Sequence, residues 1–354
     1  MQTDFLIIGQ GIAGTVLGDC LRKAGARIVV LSDEDPHAAS RVAAGLYNPV
    51  TGKRMTKTWK AEELFPYSQN YYQDFEKRYA CSIVHPMPVY KPFSSIEEQN
   101  TWLSAHDGEA FIDTNIPDYK YQAYLRHNWF GGFETKHSGY IDLPVMLDTF
   151  RKKLLEQNCF LSEKFDPQKL IISENGIQYS DLKATKIIFC EGRRAASNPL
   201  FSWLPFALSK GEILKIKIQS FIQDTVLNKQ VFIIPLGNDT YRVGSTYQWV
   251  FDNNRPTEKN KEELRDKLSE MILQPFEITE HTAGVRPSVK DRKPLVGFHP
   301  AHPAVGIFNG LGTKGVSLAP YFALNFAQHL TGSKQLYPEV NIERFYSLYS
   351  RSEY

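Results

Sequence analysis

Three glycines, Gly9, Gly11 and Gly14, stand as GQGIAG between a short apolar run from Asp4 to Ile8 and a run with helical spacing from Thr15 to Ala24. A strand, a glycine turn and a helix in this order hold the pyrophosphate of a dinucleotide: the first glycine allows the tight turn, the second brings backbone close to the phosphates, and the third lets the helix pack on the strand. The helix N-terminus, with Ile12 and Ala13 beside it, adds N–H donors and a partial positive charge. A second apolar strand, Arg27 to Leu31, follows at the right distance. At its end, where an acidic residue would accept hydrogen bonds from ribose hydroxyls, the chain has Ser32, then Asp33 and Asp35. Either Ser32 or Asp33 meets the ribose on this reading.

The second stretch with chemistry in it is AGVRPSVKDRKPLVGFHP, Ala283 to Pro300, continued by AVGIFNGLGTKGVSLAP from Ala304. A strand, Val305 to Asn309, enters a loop with Gly310, Gly312 and Gly315 that also carries Thr313 and Lys314, and an apolar helix starts near Val316. A second glycine loop feeding a second helix N-terminus makes a second anion site, able to face the reactive end of a bound cofactor. No metal site is expected. Cys20, Cys81, Cys159 and Cys190 are scattered without a CxxC pair, and Pro300 and Pro303 place His299 and His302 in a loop. No Ser-His-Asp or paired-carboxylate arrangement stands out either.

The elements that must position these residues are legible in outline. The 354 residues, 42% of them hydrophobic, suffice for about two domains. The net charge of +2 is too mild to argue for nucleic acid, so any such partner rests on a local patch such as Lys53, Arg54, Lys57 and Lys60. The chain enters its first strand by Asp4 with no signal peptide before it, and no apolar run reaches the roughly 18–20 residues of a spanning helix, so a cytoplasmic protein is expected. After the small-residue segment His37 to Met55, Leu64, Tyr71, Phe75 and Tyr79 recur at helical spacing. From Cys81 to Phe133 short strand-like runs and prolines take over, with a polar piece from Ser94 to Ser104. A helix with Pro144 in its first turn is expected after Gly139 to Asp142, running to about Gln157. Strands follow at Lys169 to Ser173, Gly176 to Tyr179 and Lys186 to Cys190, the last ending in Glu191-Gly192 and returning the chain to the nucleotide domain. Three more lie at Gly211 to Ile218, Val231 to Pro235 and Tyr241 to Thr246, the last two joined as a hairpin by Gly237-Asn238-Asp239. Alternation puts Tyr241, Val243, Ser245 and Tyr247 on one face and Arg242, Gly244 and Thr246 on the other. A polar helix spans Thr257 to Leu273.

Taken with AAG at Ala43 to Gly45, GYID at Gly139 to Asp142, KGEIL at Lys210 to Leu214 and PLGNDTYRVGST at Pro235 to Thr246, these motifs resemble, over nearly the whole chain, the FAD-dependent D-amino acid oxidase family. The similarity is greatest to its glycine oxidase and sarcosine oxidase branch. The resemblance implies an α/β fold: a Rossmann-like FAD-binding domain of the glutathione reductase type (1–84, 139–208 and 281–354), interrupted by a mixed-sheet α+β substrate domain (85–138 and 209–280). FAD would lie with its pyrophosphate at Gly9 to Gly14, its adenosine end near Ser32 or Asp33, and its flavin near Gly310 and Gly312 to Val316. Arg41, Ala43, Ala44, Gly45 and Gly192 would complete the cofactor contacts. The absence of a Cys in the C-terminal loop and of a His in the AAG segment implies non-covalent FAD.

By the same resemblance Arg286, in the GxRP motif and beside the flavin, holds the substrate carboxylate through two parallel hydrogen bonds. Phe232 replaces an active-site tyrosine of glycine oxidase, Arg242 matches a lysine over the flavin in monomeric sarcosine oxidase, and Tyr247 lies close by. The leading expectation is hydride transfer from the C–N carbon of a small amine or amino acid bearing a carboxylate, with oxygen or another electron acceptor reoxidising the flavin. One alternative is an oxidase acting on a carboxymethylaminomethyl group of tRNA, with the Lys53 to Lys60 patch on phosphates. The other is flavin binding without turnover.

Overall fold

The computed structural model describes residues 1–51, 56–106, 110–116, 120–127, 130–174 and 176–352. Lys53 and Arg54 of the basic patch, and Met55 at the end of the small-residue segment, lie outside the described residues. Among the described residues, two eight-stranded sheets carry the molecule.

The first sheet grows from the N-terminal strand Gln2–Ile8, buried at every position from Phe5 to Ile8. It pairs in parallel with Ile28–Leu31 on one side and with Leu182–Phe189 on the other. His302–Asn309 then adds to Leu182–Phe189, also in parallel. Strands buried on both faces carry continuous apolar runs rather than alternation, which is why these segments read as they do. The antiparallel pair Leu170–Ser173 and Gly176–Tyr179 extends the edge. The histidines expected in a loop sit instead at the mouth of an antiparallel hairpin formed by Leu295–His299 and His302–Asn309, with their rings stacked at 4.9 Å. Pro300 falls in the turn and Pro303 in the stretch between His302 and Gly306 where the ladder shifts register, positions at which a missing N–H is tolerated. Among the described residues, no group of three metal-ligating side chains forms.

The second sheet is mixed. Glu277–Arg286, Ser209–Lys217, Thr240–Gly244 and Phe232–Gly237 pair antiparallel in that order. Val226–Asn228 then pairs in parallel with Val89–Pro92, and Gly132–Thr135 and Ile112–Asp113 complete the sheet. The hairpin at Asn238 and Asp239 has both residues at positive φ, as a two-residue turn matched to strand twist requires. The strand Glu277–Arg286 runs straight through residue 281, where sequence had placed a domain boundary. The polar piece expected between Ser94 and Ser104 is the helix Ile96–His106, with Glu97 and Glu98 in its first turn.

Helix Ile12–Lys23 and helix Gly315–Leu330 pack against each other, and helix Ala61–Tyr79 closes over them. The aromatic stripe of Ala61–Tyr79 does more than fill space. Tyr71 and Tyr79 donate hydroxyl hydrogen bonds of 2.9 and 2.8 Å to the fully buried carboxylate of Asp19, which Arg78 also grips through its two terminal guanidinium nitrogens. Removing one member of such a pair strands the others away from water. Asp19→Ala should cost about 3–5 kcal/mol of stability, read by chemical denaturation; a loss below about 1 kcal/mol would show the cluster to be dispensable.

Candidate active site

The loop between Ile8 and helix Ile12–Lys23 is forced by close backbone contacts. Gly9 has φ +97°, and a Cβ there would lie 2.6 Å from the carbonyl oxygen of Cys190. The helix carries no acidic side chain in its first turn, and its Ile12 N–H donates to Ser40 Oγ at 3.0 Å. At the other end, Gly310 and Gly312 take φ of +72° and +53°, and Lys314 caps the helix Gly315–Leu330, again without an acidic first turn. A Cβ on Gly315 would sit 3.4 Å from Ile12 Cγ2, so the two helix N-termini meet. Asn309, buried at the strand end, ties this loop to the first: its Nδ2 donates to the Gly192 carbonyl at 3.0 Å, and its Oδ1 accepts from Gly310 N at 2.8 Å.

Both loops open on a cavity of about 1670 Å³. Its lining joins Gly9 to Ala13, Ser32 to Asp35, Arg41 to Gly45, Gly192, Gly310 to Val316, Phe232, Tyr247 and Arg286. Ligand pockets ordinarily measure roughly 300–1,000 Å³, so this one has room for a dinucleotide and a substrate together. Gly14 stands behind the lining, where it lets the helix reach the strand. Two anion-favouring helix ends on one large cavity fit FAD.

At the end of strand Ile28–Leu31 both candidate ribose ligands, Ser32 and Asp33, are hydrogen-bonded within the protein. Both carboxylate oxygens of Asp33 are taken by Arg194, at 2.7 and 2.9 Å, and this guanidinium holds the Asp33 carboxyl below its usual range. Ser32 Oγ accepts from Gln10 N at 3.2 Å and donates to the Asp33 carbonyl at 3.1 Å. Glu34 also faces the cavity and pairs with Arg151 at 2.5 Å, while Arg151 Nε donates to Gln10 Oε1 at 3.1 Å. Arg194 and Arg151 carry no sequence signal, because each reaches these acids from over a hundred residues away.

Arg242 is not on the cavity. Its Nη1 donates to the carbonyls of Ala43 and Ala44 at 3.3 and 3.2 Å, so it buttresses the Ala43 to Gly45 backbone from behind. Burial lowers its pKa. Gly45, at φ +73°, leaves no space for a side chain, since a Cβ would lie 2.0 Å from the Ile141 carbonyl oxygen. Lys314 lines the cavity and donates to Thr58 Oγ1 at 3.2 Å; burial, then Arg292, lowers its pKa. Lys57 and Lys60, expected in a phosphate-binding patch, are paired with acids: Lys57 with Glu62 at 2.5 Å, and Lys60 with Glu339 and Glu63 at 3.1 and 3.3 Å.

Arg286 ends the long strand Glu277–Arg286 with its guanidinium against the backbone of Gly211, where a Cβ would come within 1.8 Å of Nη2. Nη2 donates to Ser245 Oγ at 2.9 Å, and both terminal nitrogens lie 3.4 Å from the Thr246 carbonyl. The Tyr247 ring covers the guanidinium at 5.0 Å. Burial lowers the arginine's pKa, and among the described residues no carboxylate forms an ion pair with it. The expected alternation along the hairpin stops at Gly244, where the strand ends: Tyr241 and Val243 are buried in the second sheet's core, whereas Ser245 and Tyr247 line the cavity. Phe232 lines it as well. Ser245, Trp249 and Gly211 were given no site role from sequence, and only the pairing of Gly211 with Gly284 brings that glycine under the arginine.

Behind this wall lies a buried acid. Glu212 is fully buried, 3.0 Å from Lys210 Nζ and 2.8 Å from His281 Nε2, and it accepts from Thr257 N at 2.9 Å and Asn260 Nδ2 at 2.7 Å. Burial would raise its pKa, but His281, Thr257 N, Asn260 and Lys210 outweigh that and hold it at about 2, against 4.5 for a free glutamate. A depressed carboxyl contributes stability above the unfolded value and loses it as pH falls toward the folded one. Glu212→Gln should thus be less stable near neutrality and show a shallower loss of stability between pH 4.5 and about 2 than the native chain. Thermal melts across that range read the slope; equal slopes would exclude Glu212 as its source.

The sequence is 22% identical over 358 residues to the bifunctional protein ThiO/ThiG of Trichormus variabilis, covering 94% of this chain and 53% of that protein. It is 24% identical over 361 residues to glycine oxidase of Pseudomonas putida, covering 95% and 96%. The tRNA 5-methylaminomethyl-2-thiouridine biosynthesis bifunctional protein MnmC of Legionella pneumophila is 22% identical over 329 residues, 82% of this chain and 45% of that protein. The chain thus spans about half the length of the bifunctional relatives and nearly all of the glycine oxidase. The fold matches the crystal structure of glycine oxidase from Bacillus cereus with a TM-score of 0.79 at 17% identity, over 95% of this chain and 99% of that one. With the FAD dependent oxidoreductase (DAO) model matching residues 4–329, on a fold whose two glycine loops open on one cavity, the chain belongs to that family of FAD-dependent enzymes.

Proposed function

We propose that this enzyme oxidises a secondary or primary amine whose α-carbon bears a carboxylate, the class of substrate of glycine oxidase. The observation that carries the reading is Arg286, a buried guanidinium on the cavity wall that has a hydroxyl, a carbonyl and an aromatic face around it but no carboxylate among the described residues. Its two terminal nitrogens suit an incoming carboxylate. FAD, when bound non-covalently between the glycine loops, supplies the acceptor for the hydride of the α C–H bond. The protein's part is placement: Arg286 fixes the carboxylate and so the α-carbon, Tyr247 and Phe232 line the cavity beside it, and the helix end at Gly315 favours negative charge near the acceptor. Loss of hydride leaves an iminium, which water hydrolyses to the oxo acid and the free amine.

In this reading 1–84, 139–208 and the chain after Arg286 hold the cofactor, and 85–138 with 209–286 present the substrate; the pairing of Glu277–Arg286 with Ser209–Lys217 supports that division. The four cysteines, all free, support a reducing, cytoplasmic setting. Anaerobic addition of N-substituted glycines, D-amino acids and cyclic imino acids tests the reading. Bleaching of the visible flavin band by one class establishes it; a flavin that none of them reduces overturns it. The tRNA-linked reading uses the same chemistry on a carboxymethylaminomethyl group and is favoured by the similarity to MnmC. RNA binding that weakens steeply with salt would support it.

A further inference from the structure

We infer that Tyr247 and Trp249 form a stacking platform at the mouth of the cavity, and that the preferred substrate carries a planar aromatic or heteroaromatic ring on its amine nitrogen. The inference rests on Arg286 as the carboxylate anchor.

The segment after Gly244 alternates with a purpose the hairpin pattern does not explain. Thr246 and Gln248 point into the protein. Thr246 N donates to the Glu212 carbonyl at 3.3 Å and Thr246 Oγ1 accepts from Glu212 N at 3.0 Å. Gln248 and Lys210 exchange backbone hydrogen bonds of 2.8 and 2.9 Å, and the Gln248 amide bonds Asn260. Ser245, Tyr247 and Trp249 point the other way, into the cavity lining. The strap is thus bolted to the buried Glu212 cluster, and the aromatic pair is presented by fixed backbone rather than by a loose loop.

Tyr247 lies over the Arg286 guanidinium, and Trp249 meets Tyr247 edge to face, with centroids 5.1 Å apart and planes 66° apart. Although both line the cavity, Tyr247 is 49% and Trp249 58% exposed, and the next residue, Val250, is 91% exposed. Large aromatic rings held this open on anchored backbone offer a face to something that arrives. A substrate gripped at its carboxylate by Arg286 has its nitrogen one carbon away, so its nitrogen substituent extends along this wall toward the mouth. Ile213 and Phe232 make the inner lining apolar. The wall rewards a flat ring by stacking and gives a saturated ring of like size only contact area.

The test separates ring recognition from turnover by using thioether acids, in which sulfur replaces the amine. Binding of (benzylthio)acetate and (cyclohexylmethylthio)acetate is followed by their perturbation of the flavin spectrum. The native protein should bind the benzyl acid about tenfold more tightly, the range expected of one aromatic contact. In Trp249→Ala that ratio should fall to about one, and Trp249→Phe should restore most of it. A ratio near one in the native protein, or one that survives Trp249→Ala, overturns the platform, as does failure of the benzyl acid to bind. In parallel, anaerobic N-benzylglycine reports on turnover. Ring preference without flavin reduction sinks the oxidase reading and keeps the platform; reduction without ring preference does the reverse.

Discussion

In Arg286→Ala the concentration of amino acid needed for half-maximal anaerobic flavin reduction should rise about 30-fold to 4,000-fold, with FAD still bound. A buried, hydrogen-bonded charge pair lost on one side costs roughly 2–5 kcal/mol, and every 1.4 kcal/mol is a factor of ten. The expectation sits toward the upper end because the guanidinium is packed against Gly211, capped by Tyr247 and steered by Ser245 Oγ at 2.9 Å, so it is preorganised for its ligand. Arg286→Lys should recover only part of the loss: the charge returns, but not the planar fork that meets two carboxylate oxygens at once. Gly211→Ala offers an independent check. Its Cβ would fall 1.8 Å from Nη2, so the arginine must swing away while its charge is untouched, and half-saturation should rise here too. Unchanged half-saturation in Arg286→Ala would remove the carboxylate anchor from the proposed mechanism.

Gly14→Ala should yield protein that does not retain FAD. A Cβ at this position would lie 1.9 Å from the Gly9 carbonyl oxygen and 3.1 Å from its carbon, where ordinary contact begins near 3.4 Å. The obstacle is the Gly9 backbone, which cannot turn aside, so helix Ile12–Lys23 must retreat from strand Gln2–Ile8, and its N-terminus then leaves the phosphate position. The affinity for FAD should fall by more than about 100-fold, a loss near 3 kcal/mol, read by absorbance after gel filtration and by titration of the apoprotein. Gly11→Ala is the companion variant. Its Cβ would meet only Ser40 Oγ at 3.1 Å, the end of a side chain that can turn aside, so the chain should fold normally and show a smaller loss of FAD. Full FAD content in Gly14→Ala would show that this close approach is not what builds the site.

The residues that touch the cofactor cavity were mostly readable because their chemistry is local. Glycine turns, the strand before them and the helix after them are set by φ and by near-neighbour contact, so GQGIAG and NGLGTKG announce themselves within about fifteen residues of chain. For the same reason the helix Ala61–Tyr79 and the hairpin turn at Asn238 and Asp239 fall where periodicity and turn chemistry put them. The helix Ile96–His106 was missed because its apolar positions do not repeat with a clear helical period. The sequence also carried the expectation of FAD, and the family match bears it out.

What only the tertiary structure decided are the partners of charge, which depend on residues far apart in the chain. Both oxygens of Asp33 are held by Arg194, 161 residues away in the chain. The Arg242 guanidinium donates to the Ala43 and Ala44 carbonyls, and Lys57 and Lys60 pair with Glu62, Glu63 and Glu339, partners that no local pattern announces. Arg286 is the converse: it kept an open guanidinium, because Gly211 lets it lie flat on the sheet and no acid among the described residues reaches it. Local backbone preference determines where a glycine loop forms, but a long charged side chain takes its meaning from whichever group the fold brings within 3 Å, and that pairing is written in no single stretch of sequence.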